Sequence, residues 1–411
     1  MKKVIERGRV EIPEAQGIKR AIDKYHGENI KLKKKAVVEH EKARMHIYQA
    51  KDKGQWELYK QMKDDAAIPL VAVRRKKKNI GGQLAGTVAA SPKEVDSIIR
   101  EVYGEIYKGN LRKGEPAEEM ADRYVEEYGE HILQQPEALI EDITGEDVEK
   151  VVRTQKETAG GMDQWMPAEF KLLSREACNS LADMYMMVER GAKWPEATTM
   201  ARAAFLAKDE EPDLDPLAYR VLLMLATAYR TWAKVRLEHL HPWISTWALE
   251  EIYAGVEGQG ANDAAYATAV EIETCRLAGV NYSGGAADIF KCFDQIQRPI
   301  VYRIMEMAGM PKSILTAYRN FQEELRVRNT IAGGLGEAYA KPTSVPQGDP
   351  LSMMVTSLLL RAWVVQMRRC AVKPRILADD LQILSQGENH LKNFEYAFTK
   401  THKHIEDMGG G

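Results

Sequence analysis

Only four cysteines occur in 411 residues, Cys178, Cys275, Cys292 and Cys370, and no two form a Cys-x-x-Cys pair. That scatter argues against a zinc site and a disulfide framework alike, and fits a reducing, intracellular setting. No apolar stretch approaches the ~20 residues of a membrane span, and Met1-Lys2-Lys3 is not followed by an apolar segment, so neither membrane insertion nor secretion is expected. Internal repeats and low-complexity tracts are also missing. Nor is there an excess of one charge: 58 Lys+Arg stand against 60 Asp+Glu.

What is present is a hydrophobic content of 45%, enough for a sizeable core and two or three domains. The charge is unevenly placed. Residues 1–90 hold 22 Lys+Arg and 11 Asp+Glu, and the remainder is net acidic. Two clusters stand out, Lys31-Leu32-Lys33-Lys34-Lys35 and Arg74-Arg75-Lys76-Lys77-Lys78. Lys33, Lys34, Lys35, Arg74, Arg75, Lys76, Lys77 and Lys78 are candidates for gripping a phosphate backbone; a solvated helix face, or a basic loop or nuclear-import patch, would have the same composition.

Three motifs carry chemistry. Arg375-Ile376-Leu377-Ala378-Asp379-Asp380-Leu381-Gln382-Ile383-Leu384 reads as a β-hairpin with two acids at its tip. In Ala287-Asp288-Ile289-Phe290-Lys291-Cys292-Phe293-Asp294, Asp288 is expected to close a strand, with a helix following from Pro299 to Gly309. Ser344-Val345-Pro346-Gln347-Gly348-Asp349-Pro350-Leu351-Ser352 is a Gly/Pro loop leading into a helix with Leu351, Met354, Leu358 and Ala362. An acid at a strand end and a carboxylate hairpin from another part of the chain can clamp two divalent ions, the arrangement nucleotidyl transfer needs to share charge between attacking and leaving oxygens. Carboxylates suit Mg²⁺.

In order and spacing these segments resemble the palm motifs of reverse transcriptases, most closely those of non-LTR (LINE-type) retrotransposons: Asp-x-x-x-Ala-Phe-Asp, Pro-Gln-Gly-x-x-Leu-Ser and Ala-Asp-Asp. Here Cys292 replaces the Ala of the first, and Leu377 the aromatic residue usual before the last. Upstream, Gly160 to Phe170 is similar to the segment that opens the fingers, with Gln164 where Gly is usual. Ala204 to Lys208 and Ala218 to Val221 resemble two further fingers segments, without their prolines. The resemblance implies that Asp288 and Asp379 ligate two Mg²⁺ ions, Mn²⁺ being an alternative, with Asp380 assisting. It places Lys208 and Arg220 toward the triphosphate, Gln347 and Gly348 at the nucleotide, and Phe293 under the sugar, where its ring would exclude a ribose 2′-OH. Asp294 is expected to be structural. The expected partners are an RNA template, a DNA primer and deoxynucleoside triphosphates, in the nucleus or a cytoplasmic ribonucleoprotein.

The remaining pattern is mostly helical. Long helices are expected over 14–66. A helix starting at Ser91-Pro92 should bury Ile98, Ile99, Val102, Tyr103 and Ile106, and an acidic helical connector should fill 110–157. Ile80 to Thr87 lacks a phosphate-loop ending and reads as a hairpin or linker. From Leu217 to Val256 a helix with Leu222, Leu225, Tyr229, Trp232 and Val235 in its core stripe is expected. A further helix over 311–324 should precede a strand from Leu325 to Arg328. The glycines of Ser283 to Ala287 suggest a β-bulge before Asp288. The chain thus reads as an α+β right-hand polymerase with an antiparallel palm sheet: a helical extension over 1–155, fingers over 156–280 and palm over 281–411, with the thumb largely absent. An inactive retroelement remnant that binds nucleic acid is the main alternative, and an RNA-dependent RNA polymerase a lesser one.

Overall fold

The computed structural model describes residues 70–77, 84–111, 115–207, 214–343 and 345–410. The helices expected over 14–66, and candidate residues Lys33, Lys34, Lys35, Lys78 and Lys208, lie outside them. The described chain is α+β with two larger sheets.

A short hairpin, β1 (Val73–Arg74) with β2 (Val88–Ala89), opens it and flanks the glycine-rich segment. Helix α1 (Pro92–Lys108) follows, its proline pre-set for the first turn and Glu94 and Lys108 complementing the helix dipole. Its fully buried apolar residues are Val95, Ile99, Tyr103 and Tyr107, four apart; the expected Ile98, Val102 and Ile106 are only half-buried. The acidic stretch that follows is helical in two pieces, α2 (Ala117–Tyr128) and α3 (Gly145–Thr154). A reciprocal Thr144–Asp147 cap starts the second. The short α4 (Pro167–Phe170) and α5 (Arg175–Glu189) lead to β3 (Met200–Ala207), β4 (Tyr219–Met224) and α6 (Thr227–Trp247).

The continuous helix expected from Leu217 therefore breaks into strand and helix. Tyr219, Val221 and Leu223 are buried while their neighbours are more exposed, a period of two that marks a strand, so Leu222 lies on β4 and Leu225 in the link. Tyr229, Trp232 and Val235 do form the buried stripe of α6. Tyr229 stacks on Phe321 with ring centroids 3.4 Å apart, and Trp194 meets Tyr229, Trp232 and Phe321 edge-on. These aromatics are core, each such pair adding about 0.5–1.5 kcal/mol beyond area burial.

Helix α7 (Ala261–Ala278) precedes β5 (Tyr282–Asp288). The short α8 (Cys292–Gln295), then α9 (Arg298–Met307) with Pro299 in its first turn, and α10 (Lys312–Glu324) come next. Strands β6 (Arg326–Ile331), β7 (Gly334–Leu335) and β8 (Tyr339–Ala340) join β3 and β4 in one sheet, β6 lying parallel to β3. Helix α11 (Ser352–Arg368), β9 (Lys373–Leu377), β10 (Asp380–Gln386) and α12 (His390–Asp407) complete the described chain.

The second sheet has the order β5-β10-β9, every pair antiparallel. Contrary to the expected bulge, β5 pairs with β10 residue for residue, from Tyr282 opposite Gln386 to Asp288 opposite Asp380. The glycines serve packing: the Leu384 side chain and the Phe394 ring of α12 occupy the space a side chain on Gly284 or Gly285 would need. One face of this sheet carries Ile376, Leu381 and Ile383 and packs on α11 and α12. The opposite face carries Arg375 and Gln382, reached by Glu271 and Thr268 of α7, and ends in the acids.

Candidate active site

Strands β9 and β10 are joined by only two residues, Ala378 and Asp379. Ala378 takes φ 59°, the left-handed setting that a tight hairpin imposes on its first linking residue and that glycine normally fills. A non-glycine residue in so sparsely populated a region costs about 1–3 kcal/mol, and such strain clusters at functional sites. The turn presents Asp379, half-buried, and starts β10 with Asp380, exposed. Directly across the ladder stands Asp288, the exposed last residue of β5. Opposed residues of an antiparallel pair lie about 4.5–5.5 Å apart at Cα and project to the same face. Asp288 and Asp380 are therefore neighbours, with Asp379 beside them.

Like charges so placed repel, and at Asp379 that repulsion adds to the effect of burial. Burial first, then the charges of Asp288 and Asp380, hold the Asp379 carboxyl above the usual carboxylate range, while its own backbone N–H and Arg220 pull it back. Cys292 lies buried beneath. Burial, and then Asp379, Asp288 and Asp294, push its thiol well up, which leaves it inert as a nucleophile. None of the three acids makes a side-chain ion pair among the described residues.

Around this end of the sheet three segments are pinned together. After β5 the chain turns at Lys291, φ 47°, into α8, whose Phe293 is 8% exposed. The Phe293 carbonyl accepts from Val345 N at 3.0 Å, tying the first acidic motif to the Pro-Gln-Gly loop. Asp294 forms a buried pair with Lys341 at 2.7 Å and its carbonyl accepts from Thr343 Oγ1, which ties it into the fold.

The Pro-Gln-Gly loop lies against β4: Leu223 N donates to the Gln347 carbonyl at 2.8 Å. Gly348 takes φ 117°, and a Cβ there would meet Leu223 O at 2.4 Å, so both the backbone and the close approach demand glycine. Gln347 Oε1 is shielded from solvent with no hydrogen-bond partner among the described residues. Beneath the loop Asp349 is buried, accepting from Tyr229 Oη at 2.8 Å, Gln322 Nε2 at 2.9 Å and Leu351 N at 3.0 Å. Burial lifts its carboxyl to about 6. Sequence reasoning missed this anchor, although Asp349 lies inside a quoted motif; only the fold brings Tyr229 and Gln322 to it.

Arg220, near the start of β4, is exposed and close enough for its charge to act on Asp379. The segment from Gly160 is also fixed near α6: Thr227 Oγ1 donates to the Trp165 carbonyl at 2.5 Å and Arg230 Nη2 to the Ala159 carbonyl at 2.9 Å. Gln164 takes φ 61°, so glycine would relieve that position.

Four residues of the second basic cluster, Arg74 to Lys77, are among the described residues. Arg75 is 6% exposed and binds both Glu94 oxygens at 2.8 Å, with Nη1 donating to Thr87 Oγ1 and the Val88 carbonyl. The Arg75 guanidinium is thus committed to Glu94, Thr87 and Val88, an arrangement unlike the exposed phosphate contact expected of it. Arg74 Nη1 donates to the Gly86 carbonyl, Lys76 pairs with Asp215 at 2.7 Å and Lys77 with Glu101 at 2.8 Å, all three cations remaining exposed.

No known family model matches the chain. Among the described residues no three His, Cys, Asp or Glu side chains surround one point at ligating distance. Three adjacent hard carboxylates still fit Mg²⁺, which takes one or two protein carboxylates and completes its octahedron with water and substrate phosphates.

Proposed function

We propose that this chain supplies the fingers and palm of an RNA-directed DNA polymerase of retroelement type. The observation that carries it is the meeting of Asp288, Asp379 and Asp380, from distant parts of the sequence, on one sheet end, none of them in an ion pair among the described residues. A bound cation would relieve the mutual repulsion of acids gathered this closely. Two bound Mg²⁺ ions would share the charge that develops on the attacking 3′-oxygen and the departing pyrophosphate.

The chain's own groups divide the remaining work. Asp288 and Asp379 would hold the ions and Asp380 would shape the site. Arg220 offsets the charge of the incoming triphosphate, with Lys208 its expected companion. The Pro-Gln-Gly loop, rigid through Gly348 and Asp349, offers Gln347 to the nucleotide. Phe293, buried under the strand end, forms the floor that a 2′-OH would strike, which favours deoxynucleotides. Primer extension with an RNA template, a DNA primer, deoxynucleotides and Mg²⁺ or Mn²⁺ tests this. Incorporation that disappears in Asp288→Asn supports the reading, whereas incorporation unchanged by that substitution, or none at all from a folded chain, overturns it.

A further inference from the structure

We propose that Lys291 is a positioning residue whose ammonium locks the turn after Asp288 to the start of β4, one residue before Arg220, and so fixes where Arg220 leaves the strand. The contact stands on geometry alone; its consequence, a firmer hold on triphosphate, rests on the polymerase reading above.

Lys291 lies three residues beyond Asp288, and Tyr219 immediately before Arg220. Lys291 Nζ donates to the Tyr219 carbonyl at 2.7 Å and to Tyr103 Oη at 3.1 Å, and stands 5.2 Å from the centre of the Tyr103 ring. Tyr103 Oη itself donates to the same Tyr219 carbonyl at 3.1 Å. One carbonyl at the end of β4 thus receives a charged and a neutral donor, the charged one being the stronger. Tyr103 and Tyr219 are both buried, so this junction is a fixed point.

The backbone makes the lysine itself informative. At φ 47° glycine would be free of strain, and the residue's carbonyl accepts from Asp294 N and Gln295 N to start α8, a task any residue performs. The turn therefore does not need lysine. What lysine adds is a charged donor on the β4 carbonyl beside Tyr103 Oη. Arg220, one residue on, is exposed, and without this tie the β4 end would be held to the acidic motif by fewer bonds.

The test separates support of the fold from positioning. In Lys291→Gly the unfolding midpoint should change little, relief of left-handed strain offsetting the lost bonds to Tyr219 and Tyr103. Amide exchange at the last two β3–β4 pairs, Leu206–Arg220 and Ala207–Tyr219, should meanwhile quicken by about tenfold or more. The KM for deoxynucleotide should rise about tenfold with kcat changed little, Lys291→Arg should restore most of it, and Lys291→Gly with Arg220→Ala should be no worse than Arg220→Ala alone. Unaltered exchange in Lys291→Gly, or additive effects in the double variant, overturns the proposal. If the unsubstituted chain incorporates no nucleotide, the polymerase reading fails, and the exchange result alone decides whether Lys291 holds β4.

Discussion

Two dense charge clusters in this protein are treated by the fold in opposite ways. Asp288, Asp379 and Asp380 crowd one sheet end, and none has an ion pair among the described residues. Arg74, Arg75, Lys76 and Lys77 also stand together in sequence, yet each is given an acceptor: the Gly86 carbonyl, Glu94, Asp215 and Glu101. Arg75, the buried member, is neutralised by Glu94 because a buried unpaired ion is costly, while the other three stay exposed. A charge left in conflict with its neighbours needs an external partner. The contrast makes the acids the better functional candidates, although both clusters look equally purposeful in sequence.

The largest effect that would break this comparison is catalytic. Asp379→Asn should lower nucleotide incorporation by at least about 10²-fold, since metal ligands matter at least as much as the groups that orient them. The same substitution should leave stability level or slightly higher, as like-charge repulsion falls. A chain that lost activity and stability together would place Asp379 with the structural charges.

Next is Lys341→Met, which strands Asp294 in the core. Breaking a buried pair by removing one partner costs about 3–5 kcal/mol, to be read as a lowered denaturation midpoint. A change within experimental error would show that Asp294 does not depend on that pair.

A smaller effect separates Asp349 from both clusters. Its folded carboxyl titrates at about 6 against 3.8 for the ordinary group, so between those values the native state binds the proton more tightly than the unfolded chain. Stability from this residue is fully present below about pH 4 and falls as pH rises through 6, by roughly 3 kcal/mol in all. Asp349→Asn should flatten that fall in unfolding curves taken from pH 4 to 7. A fall of the same size in the variant would assign it to other groups.

The smallest effect concerns the cations. Each phosphate contact contributes roughly 0.7–0.9 to the log–log salt slope of nucleic-acid binding. Because Arg75 is committed to Glu94, Arg75→Ala should leave the slope for RNA unchanged while lowering the unfolding midpoint. A slope reduced by a full contact would show that the guanidinium leaves Glu94 to meet phosphate.

How much could be read beforehand varied with the range of the interactions involved. The end of β5 at Asp288, the tip at Asp379, the helix start at Pro299 and the strand after Leu325 all depend on local alternation, proline and turn chemistry, and each lies where expected. Leu222 was assigned to a helix because its apolar neighbours also suit a helical stripe. Pairing with β3 selected the strand. The glycines at 284 and 285 looked like slack in a strand, but Leu384 and Phe394, a hundred residues away in sequence, use the room they leave.

Sequence alone determined the types of group available: three acids in short motifs, a loop whose glycine tolerates φ 117°, and cations near the front of the chain. These are properties of residues and their nearest neighbours, set by sterics and charge. Tertiary structure decided which of those groups meet. Register across β5 and β10 put Asp288 opposite Asp380, and burial against Glu94 removed Arg75 from the surface. The Tyr219 carbonyl, brought beside Lys291, completed a junction that no local pattern announces. Contacts between residues distant in sequence depend on packing the whole core, whereas a motif depends only on its own few residues.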